Sequence, residues 1–372
     1  MADMQVCYVV NSVGETSVPA TIASALESNT NVAVDVLAWF SADQFEGDDQ
    51  LKIYCVNAPD ITFGIDRETY RTVRNILKPY DLVQAHHPHS GSFAKVIAYR
   101  LGIPSVSREG NTRNGFTRKG RIANGLTNPL SEYVVCNSQA VYNSFTRWEK
   151  ALLSEEQIRI IPNGVDLNRV QQARDLEWSV RAEYGIDSST ILVGNAAMFT
   201  EQKAHDVLIR ALAIANERSN QRYELVLAGD GPLQTDIEEL AQSKGIEDQI
   251  HLLGLLDRDH VYRMMDELDI FVMPSRWEGF ANAAVEALGV GNACVFSDIE
   301  PFTIPYKDVA LFHPVNNLDV LAERIIEFGE NSTLRNKFRQ RGMELVEIKY
   351  SLPSIARQYS ELYHEVLASQ SA

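Results

Sequence analysis

The chain reads as an α/β protein made of two doubly wound halves, each with a parallel sheet. Three observations predict this. Short apolar runs alternate with segments of helical period along most of the chain. The rhythm breaks once, at the turn-rich Pro162-Asn-Gly-Val-Asp166, and then restarts. At roughly 150 residues per domain, a chain of 372 residues suits two domains better than one or three.

In the first half the apolar runs at 5–10, 32–37, 51–56, 82–85, 105–107, 133–136 and 159–161 are expected strands. Helical spacing at 20–26, 68–77, 93–100 and 139–148 supplies the crossovers that parallel strands require. After the break, strands are expected at 191–197, 224–228, 250–253, 270–273, 293–296 and 310–312. Helices at 206–217, 235–243, 260–267 and 283–288 separate them, and the last 50 or so residues are helical in pattern. In such sheets ligands bind beyond the carboxyl ends of the strands, so chemistry is sought in the strand-exit loops.

Composition narrows the class. Apolar residues make up 45% and charged residues 23%, which excludes a disordered or collagenous chain. No apolar run approaches the ~18 residues of a spanning helix. The opening MADMQVCYVVNS lacks a basic leader and already reads as a strand. The expected location is therefore the cytoplasm, or the cytoplasmic face of a membrane. The net charge is −16, of which residues 1–165 carry −2 and the remainder −14. An acidic second half argues against a nucleic-acid partner. Cys7, Cys55, Cys136 and Cys294 are far apart and none forms a CxxC, so neither zinc nor a disulfide framework is expected.

No GxGxxG follows a strand; the nearest run, Gly289-Val-Gly291-Asn-Ala-Cys294, precedes one and lacks the third glycine. GxxxxGK[ST] is absent as well. Nicotinamide-dependent oxidoreductases and P-loop nucleotidases are thereby disfavoured.

The most informative loop is Pro274-Ser-Arg-Trp-Glu278-Gly-Phe-Ala-Asn-Ala-Ala-Val-Glu286. A strand ends, a loop with Glu278 and Gly279 follows, and a helix begins near Asn282, where backbone amides form an anion seat. If the helix reached back to Glu278, the two carboxylates would lie about two turns apart on one side. Carboxylates so placed accept paired sugar hydroxyls; the alternative is two solvated glutamates.

This segment resembles the Glu-x7-Glu motif of retaining GT-B glycosyltransferases, most closely glycosyltransferase family 4 (glycosyl transferases group 1). IPNGVD at 161–166 resembles that family's interdomain segment, and VGNAAMFTEQKAHDVL at 193–208 its loop with a phosphate-binding lysine. GDGPL at 229–233 and HLLG at 251–254 follow in the family's order. The resemblance implies the GT-B fold: two Rossmann-like domains facing across a cleft, at 1–165 (acceptor side) and 166–350 (nucleotide-sugar side). A C-terminal helix over 351–372 would pack back toward the first. It implies that Glu278 contacts the donor sugar hydroxyls, that the amides of Gly279, Phe280 and Ala281 hold sugar and diphosphate, and that Glu286 binds the ribose. Lys203 would neutralise the leaving diphosphate, with Gly14 of Asn11-Ser-Val-Gly approaching from the first domain. Glu278 and Lys203 would carry catalysis without a cofactor or metal ion.

Three positions depart from the family pattern. Met198 stands where an arginine is usual, five residues before the lysine; Arg276, Arg108 and Arg113 are candidate replacements for that cation. Ala204 replaces a glycine. Arg108 and Glu109 follow the Gly-Ile-Pro strand where the family often has a histidine.

In the first half, His86, His87 and His89 sit at a strand exit without a carboxylate or cysteine in a ligand pattern, so a metal is disfavoured. The resemblance places His86 or His87 near substrate; the alternative is an ordinary strand-end turn. Residues 108–121 form a basic, Gly/Asn-rich stretch that reads as a mobile loop able to bind an acceptor phosphate or an anionic lipid head group. Arg108, Glu109, Arg113, Asn163 and Arg276 are the candidate acceptor or phosphate contacts. Arg67, Arg71, Arg74 and Lys78 form a basic helix face, either solvated or lying on an anionic membrane.

The resulting expectation is a metal-independent hexosyltransferase. It uses a nucleotide-diphosphate sugar, UDP-linked in the first instance and GDP-mannose in the second, and an acceptor hydroxyl on a lipid-linked molecule or a glycan. The alternatives are a catalytically weakened nucleotide-sugar-binding partner subunit and a GT-B sugar-nucleotide epimerase.

Overall fold

The computed structural model describes residues 3–14, 16–43, 51–59 and 64–370. Two compact units divide the chain: Met1–Gly164 with Leu352–Ala372, and Val165–Ser351.

The first unit is built on strands β1 (Met4–Val13), β2 (Val32–Ala42), β3 (Ile53–Cys55), β4 (Leu82–His86), β5 (Ser105–Glu109), β6 (Tyr133–Cys136) and β7 (Ile158–Ile160). They pair in parallel in the order β3-β2-β1-β4-β5-β6-β7. Successive residues of β1 enter opposite cores. Val6, Tyr8 and Val10 pack on one side and Cys7 and Val9 on the other, which is why the strand reads as a continuous apolar run. The final helix, Leu352–Gln370, joins the first of these cores through Ile355, Tyr359 and Tyr363. The Tyr363 hydroxyl donates to Gln84 Oε1 at 2.7 Å and meets the Tyr8 hydroxyl at 2.6 Å.

The second unit carries β8 (Ile191–Ala196), β9 (Tyr223–Ala228), β10 (Ile250–Gly254), β11 (Ile270–Met273), β12 (Ala293–Ser297) and β13 (Ala310–His313). Their order is β10-β9-β8-β11-β12-β13, again parallel. Both faces are covered: Cys294 and Phe296 enter one core, Ala293 and Val295 the other. In each sheet the strand order reverses once, between β1 and β4 and between β8 and β11. Crevices at such reversals are where doubly wound sheets bind ligands.

Two elements depart from the sequence pattern, for physical reasons. The expected loop at 108–121 is instead the end of β5, a short turn, and a helix, Arg118–Thr127, capped by the Thr117 hydroxyl accepting from Gly120 N–H at 3.1 Å. Its apolar period is absent because its inner face consists of Gly120, Asn124 and Gly125. A methyl at Gly120 would press on Pro88, and one at Gly125 would collide with the Trp148 ring. The expected helix at 139–148 is two short ones, Gln139–Asn143 and Arg147–Ala151. The second starts on a capping box in which Glu149 accepts from Thr146 N–H at 2.9 Å.

The basic helix is Arg67–Leu77, and it buries Val73 and Leu77. Arg67, Arg71 and Lys78 are exposed and Arg74 half-buried, so its apolar side faces the core and its basic side faces water. The four cysteines are free thiols. No helix among the described residues is long and apolar enough to cross a membrane.

Candidate functional site

At the reversal in the second unit, the loop after β8 carries Lys203 and the loop after β11 carries Glu278. Glu278 is buried, and Lys203 Nζ donates to its Oε1 at 2.6 Å. Ser275 Oγ donates to the same oxygen at 2.8 Å and Gln202 Nε2 to the other at 3.1 Å. The carboxylate is therefore fixed from three directions by two loops, which offsets the cost of burying it.

The helix begins at Asn282, so Glu278 lies in the loop and Glu286 in the second turn, not on one helical face. No side chain caps that helix start. Gly279, Phe280 and Ala281 lead into it, with Ala281 buried. Glu286 is ion-paired to Arg258, in the first turn of the helix after β10. Burial opposes the charge on Arg258, and Glu286 beside it outweighs that and raises its pKa.

Arg276, a candidate for the cation missing at Met198, is engaged by neighbouring groups. Its Nε donates to Asn316 Oδ1 at 3.0 Å, one terminal nitrogen to the Glu201 carbonyl at 2.6 Å, and the other to Asp206 at 2.9 and 3.1 Å. In this arrangement it braces the Lys203 loop. Met198 is 63% exposed. Ala204 takes the left-handed conformation, φ 53°, which explains why glycine suits that position. The glycines of GDGPL are required by close approach. A methyl at Gly231 would lie 2.6 Å from the Phe199 carbonyl oxygen, and Gly229 has φ 143°.

His205, which opens the helix after Lys203, is buried. Burial lowers its pKa to about 4, with Lys203 adding to the effect, so the ring is neutral at pH 7. Its Nε2 meets Asn195 Oδ1 at 3.1 Å.

In the first unit the reversal brings Asn11, near the end of β1, beside the β4 exit, and Gly14 follows that strand directly. His87 Nδ1 accepts from Asn11 N–H at 3.1 Å, a bond that requires an unprotonated ring nitrogen, and Asn11 Oδ1 accepts from Ser90 N–H at 3.3 Å. A methyl on Gly14 would meet no protein atom within 4 Å. Its neighbour Glu15 lies outside the described residues. His86 is buried against Gln84 at 3.0 Å, and burial, with Arg108 and His87 nearby, holds its pKa well below the usual range. Among the described residues, no group of three or more His, Cys, Asp or Glu is placed to hold a metal ion.

Three expected acceptor contacts are internal. Arg108 is buried, donating to Tyr359 Oη at 2.9 Å and to Asn163. Arg113 binds Glu109 at 2.8 Å and Glu149 at 2.7 Å, and stacks 3.8 Å from the Phe145 ring centroid. Glu109 also accepts from Asn124 at 2.6 Å and Asn128 at 3.0 Å. Burial would raise the Glu109 pKa, but Arg113 and Lys95 hold it down at about 2. Glu109 and Arg113 are thus buried and joined to each other in one network, with one terminal nitrogen of Arg113 buried and unpartnered among the described residues.

The sequence reading missed Arg258, Gln202, Ser275 and Asp206. Ser275 and Gln202 adjoin recognised residues, but nothing in the spacing pairs Arg258 with a glutamate 28 positions later.

Two family models match the chain: "Glycosyltransferase Family 4" over residues 18–169 and "Glycosyl transferases group 1" over residues 177–345. The candidate glycosyltransferase EpsF of Bacillus subtilis (strain 168) is 34% identical over 242 residues, 61% of each chain. The O-antigen biosynthesis glycosyltransferase WclY of Escherichia coli is 25% identical over 207 residues, 56% of this chain and 55% of that one. The match thus spans somewhat over half the length of these relatives. Among solved structures, Anabaena HepE in complex with UDP superposes with a TM-score of 0.78 at 16% identity, covering 97% of this chain and 100% of that chain. With both family models in chain order and both sheets of the Rossmann type, the chain belongs to the family 4 glycosyltransferases of the GT-B fold.

Proposed function

We propose that the chain transfers a hexosyl or N-acetylhexosaminyl unit, with retention at the anomeric carbon, from a nucleotide-diphosphate sugar to a hydroxyl acceptor. The acceptor is lipid-linked or a glycan. The observation that carries this is the three-way fixed Glu278 beside Lys203, at the strand-order reversal of a family 4 fold. A buried, oriented carboxylate accepts hydrogen bonds from two sugar hydroxyls. The adjacent cation and the helix start after it favour the negative charge of a departing diphosphate.

In the reaction, the bond from the anomeric carbon to the diphosphate oxygen breaks and a bond to the acceptor oxygen forms. The acceptor proton passes to the departing diphosphate oxygen. Lys203 and the amides of Gly279, Phe280 and Ala281 stabilise the leaving group, and Glu286, held by Arg258, accepts from the ribose hydroxyls. Because the chain supplies its own cation, no resident metal is part of this reading. UDP is the first-choice nucleotide, in keeping with the UDP held by Anabaena HepE.

A second reading, a weakened sugar-nucleotide-binding subunit, is favoured by one observation: Met198 brings no charge and Arg276 is committed elsewhere. Purified protein assayed against UDP- and GDP-sugars with lipid-linked and glycan acceptors separates the two. Transfer that persists in EDTA supports the enzyme; tight donor binding with no turnover supports the subunit.

A further inference from the structure

We infer that the Lys203–Glu278 pair makes the site select an intact nucleotide sugar over the bare nucleoside diphosphate. This rests on the donor reading above and adds to it a competition between carboxylate and diphosphate for one lysine.

An ionised carboxylate offers about four acceptor positions. Three of those on Glu278 are taken. Its Oε1 accepts from Lys203 Nζ at 2.6 Å and from Ser275 Oγ at 2.8 Å, and its Oε2 from Gln202 Nε2 at 3.1 Å. Two sugar hydroxyls therefore enter only when one of these donors leaves.

The three donors are not equally held. Ser275 is fully buried, and its carbonyl accepts from Ser297 Oγ at 2.6 Å. Gln202 Nε2 also donates to the Trp277 carbonyl at 2.9 Å, and the Gln202 carbonyl accepts from Arg276 N–H at 2.8 Å. Lys203 Nζ has no second partner among the described residues, and its side chain keeps 20% exposure. Lys203 is the donor that moves.

Its movement costs differently for each ligand. A bare diphosphate that draws Lys203 away leaves a carboxylate of 4% exposure without its counter-charge, which is strongly unfavourable. A lysine shared between the two brings the carboxylate and the diphosphate, both negative, side by side. An intact donor avoids both costs, because its sugar hydroxyls bond to Glu278 as the ammonium turns to the diphosphate. Once the sugar has been transferred, the carboxylate reclaims Lys203 and the diphosphate is released.

The test is calorimetric titration of the full chain with UDP, UMP, GDP and GMP, and with UDP- and GDP-sugars in the absence of acceptor. In the wild type the diphosphate should bind less than about tenfold tighter than the monophosphate, because Lys203 is withheld. Glu278→Gln should bind the diphosphate about tenfold tighter than the wild type does, with the monophosphate unchanged and the sugar nucleotide weaker. In a Lys203→Met background the same substitution should bring no gain, since no lysine remains to be released. A gain that persists there reports plain charge repulsion and overturns the inference, as does unchanged or weaker diphosphate binding by Glu278→Gln. Circular dichroism checks that each variant is folded. Should Glu278→Gln fail to fold, Glu278→Ala and the wild-type ratio still decide, and a ratio above about tenfold overturns the inference. Binding of no nucleotide at all overturns the donor reading and this inference together; nucleotide binding without the Glu278→Gln gain overturns this inference alone.

Discussion

Lys203 Nζ lies 2.6 Å from Glu278 Oε1, with the lysine side chain one-fifth exposed and the glutamate 4% exposed. The pair joins the exit loops of β8 and β11, so each charge holds the other in the crevice where the sheet order reverses. Removing one partner strands the other. Because Lys203 retains solvent contact, Lys203→Ala is expected to cost about 1–2 kcal/mol, below the 3–5 typical of a fully buried pair. Glu278→Gln should cost less, and the double variant less than the sum of the two. Thermal or urea unfolding of the three variants measures this.

Arg258 orients Glu286, and the effect should appear in donor binding more than in turnover. Arg258→Ala is expected to raise the donor KM roughly tenfold with kcat nearly unchanged, as for lost uniform binding. The preference for a ribose over a 2′-deoxyribose donor should fall with it. Steady-state kinetics on both donors, with Arg258→Lys as a partial rescue, checks the assignment. Loss of kcat alone would instead place Arg258 at the reacting carbon.

Met198→Arg should gain function. The side chain is already 63% exposed, so an arginine there buries no charge, and a charge-assisted contact to phosphate contributes about 1.5–3 kcal/mol. Donor affinity is expected to rise roughly tenfold, measured by calorimetry with the nucleoside diphosphate. Unchanged affinity would show that this position does not reach the diphosphate.

Lys95 makes stability depend on pH. Its ammonium is buried among Ser107, Asn124 and Asn128. Burial lowers its pKa from 10.5 to about 7, against the opposing pull of Glu109. Between those two values the unfolded chain binds more protons than the folded one, so stability rises with pH across that window. The slope from this group is up to about 1.4 kcal/mol per pH unit. Lys95→Met should remove it, seen as the difference between the two proteins' unfolding free energies from pH 7 to 10.

Much of the fold was legible because parallel strands buried on both faces leave unmistakable apolar runs, as in β1 and β12. The helix Arg118–Thr127 was not, because its inner face is glycine and asparagine, residues selected by close packing on Trp148 and by the Glu109 network. Local chemistry marked Glu278, in a strand-exit loop before a helix start, and the family resemblance marked Lys203. It could not reveal that Glu109 and Arg113 are enclosed, because Glu149, which completes their network, is 36 residues from Arg113. Nor could it show that Arg276 is held by Asp206 and Asn316, 70 and 40 residues away. Burial of a polar residue is set by its distant partners, and motif spacing carries no record of them.

The most direct test is donor hydrolysis and binding by the purified chain against UDP- and GDP-sugars in EDTA, beside Glu278→Ala and Lys203→Ala. The account predicts slow hydrolysis of one donor that survives chelation and falls by roughly a hundredfold or more in both variants. It also predicts that the anomeric configuration is kept when an acceptor is supplied. Failure to bind any nucleotide sugar, or turnover indifferent to both substitutions, would contradict it.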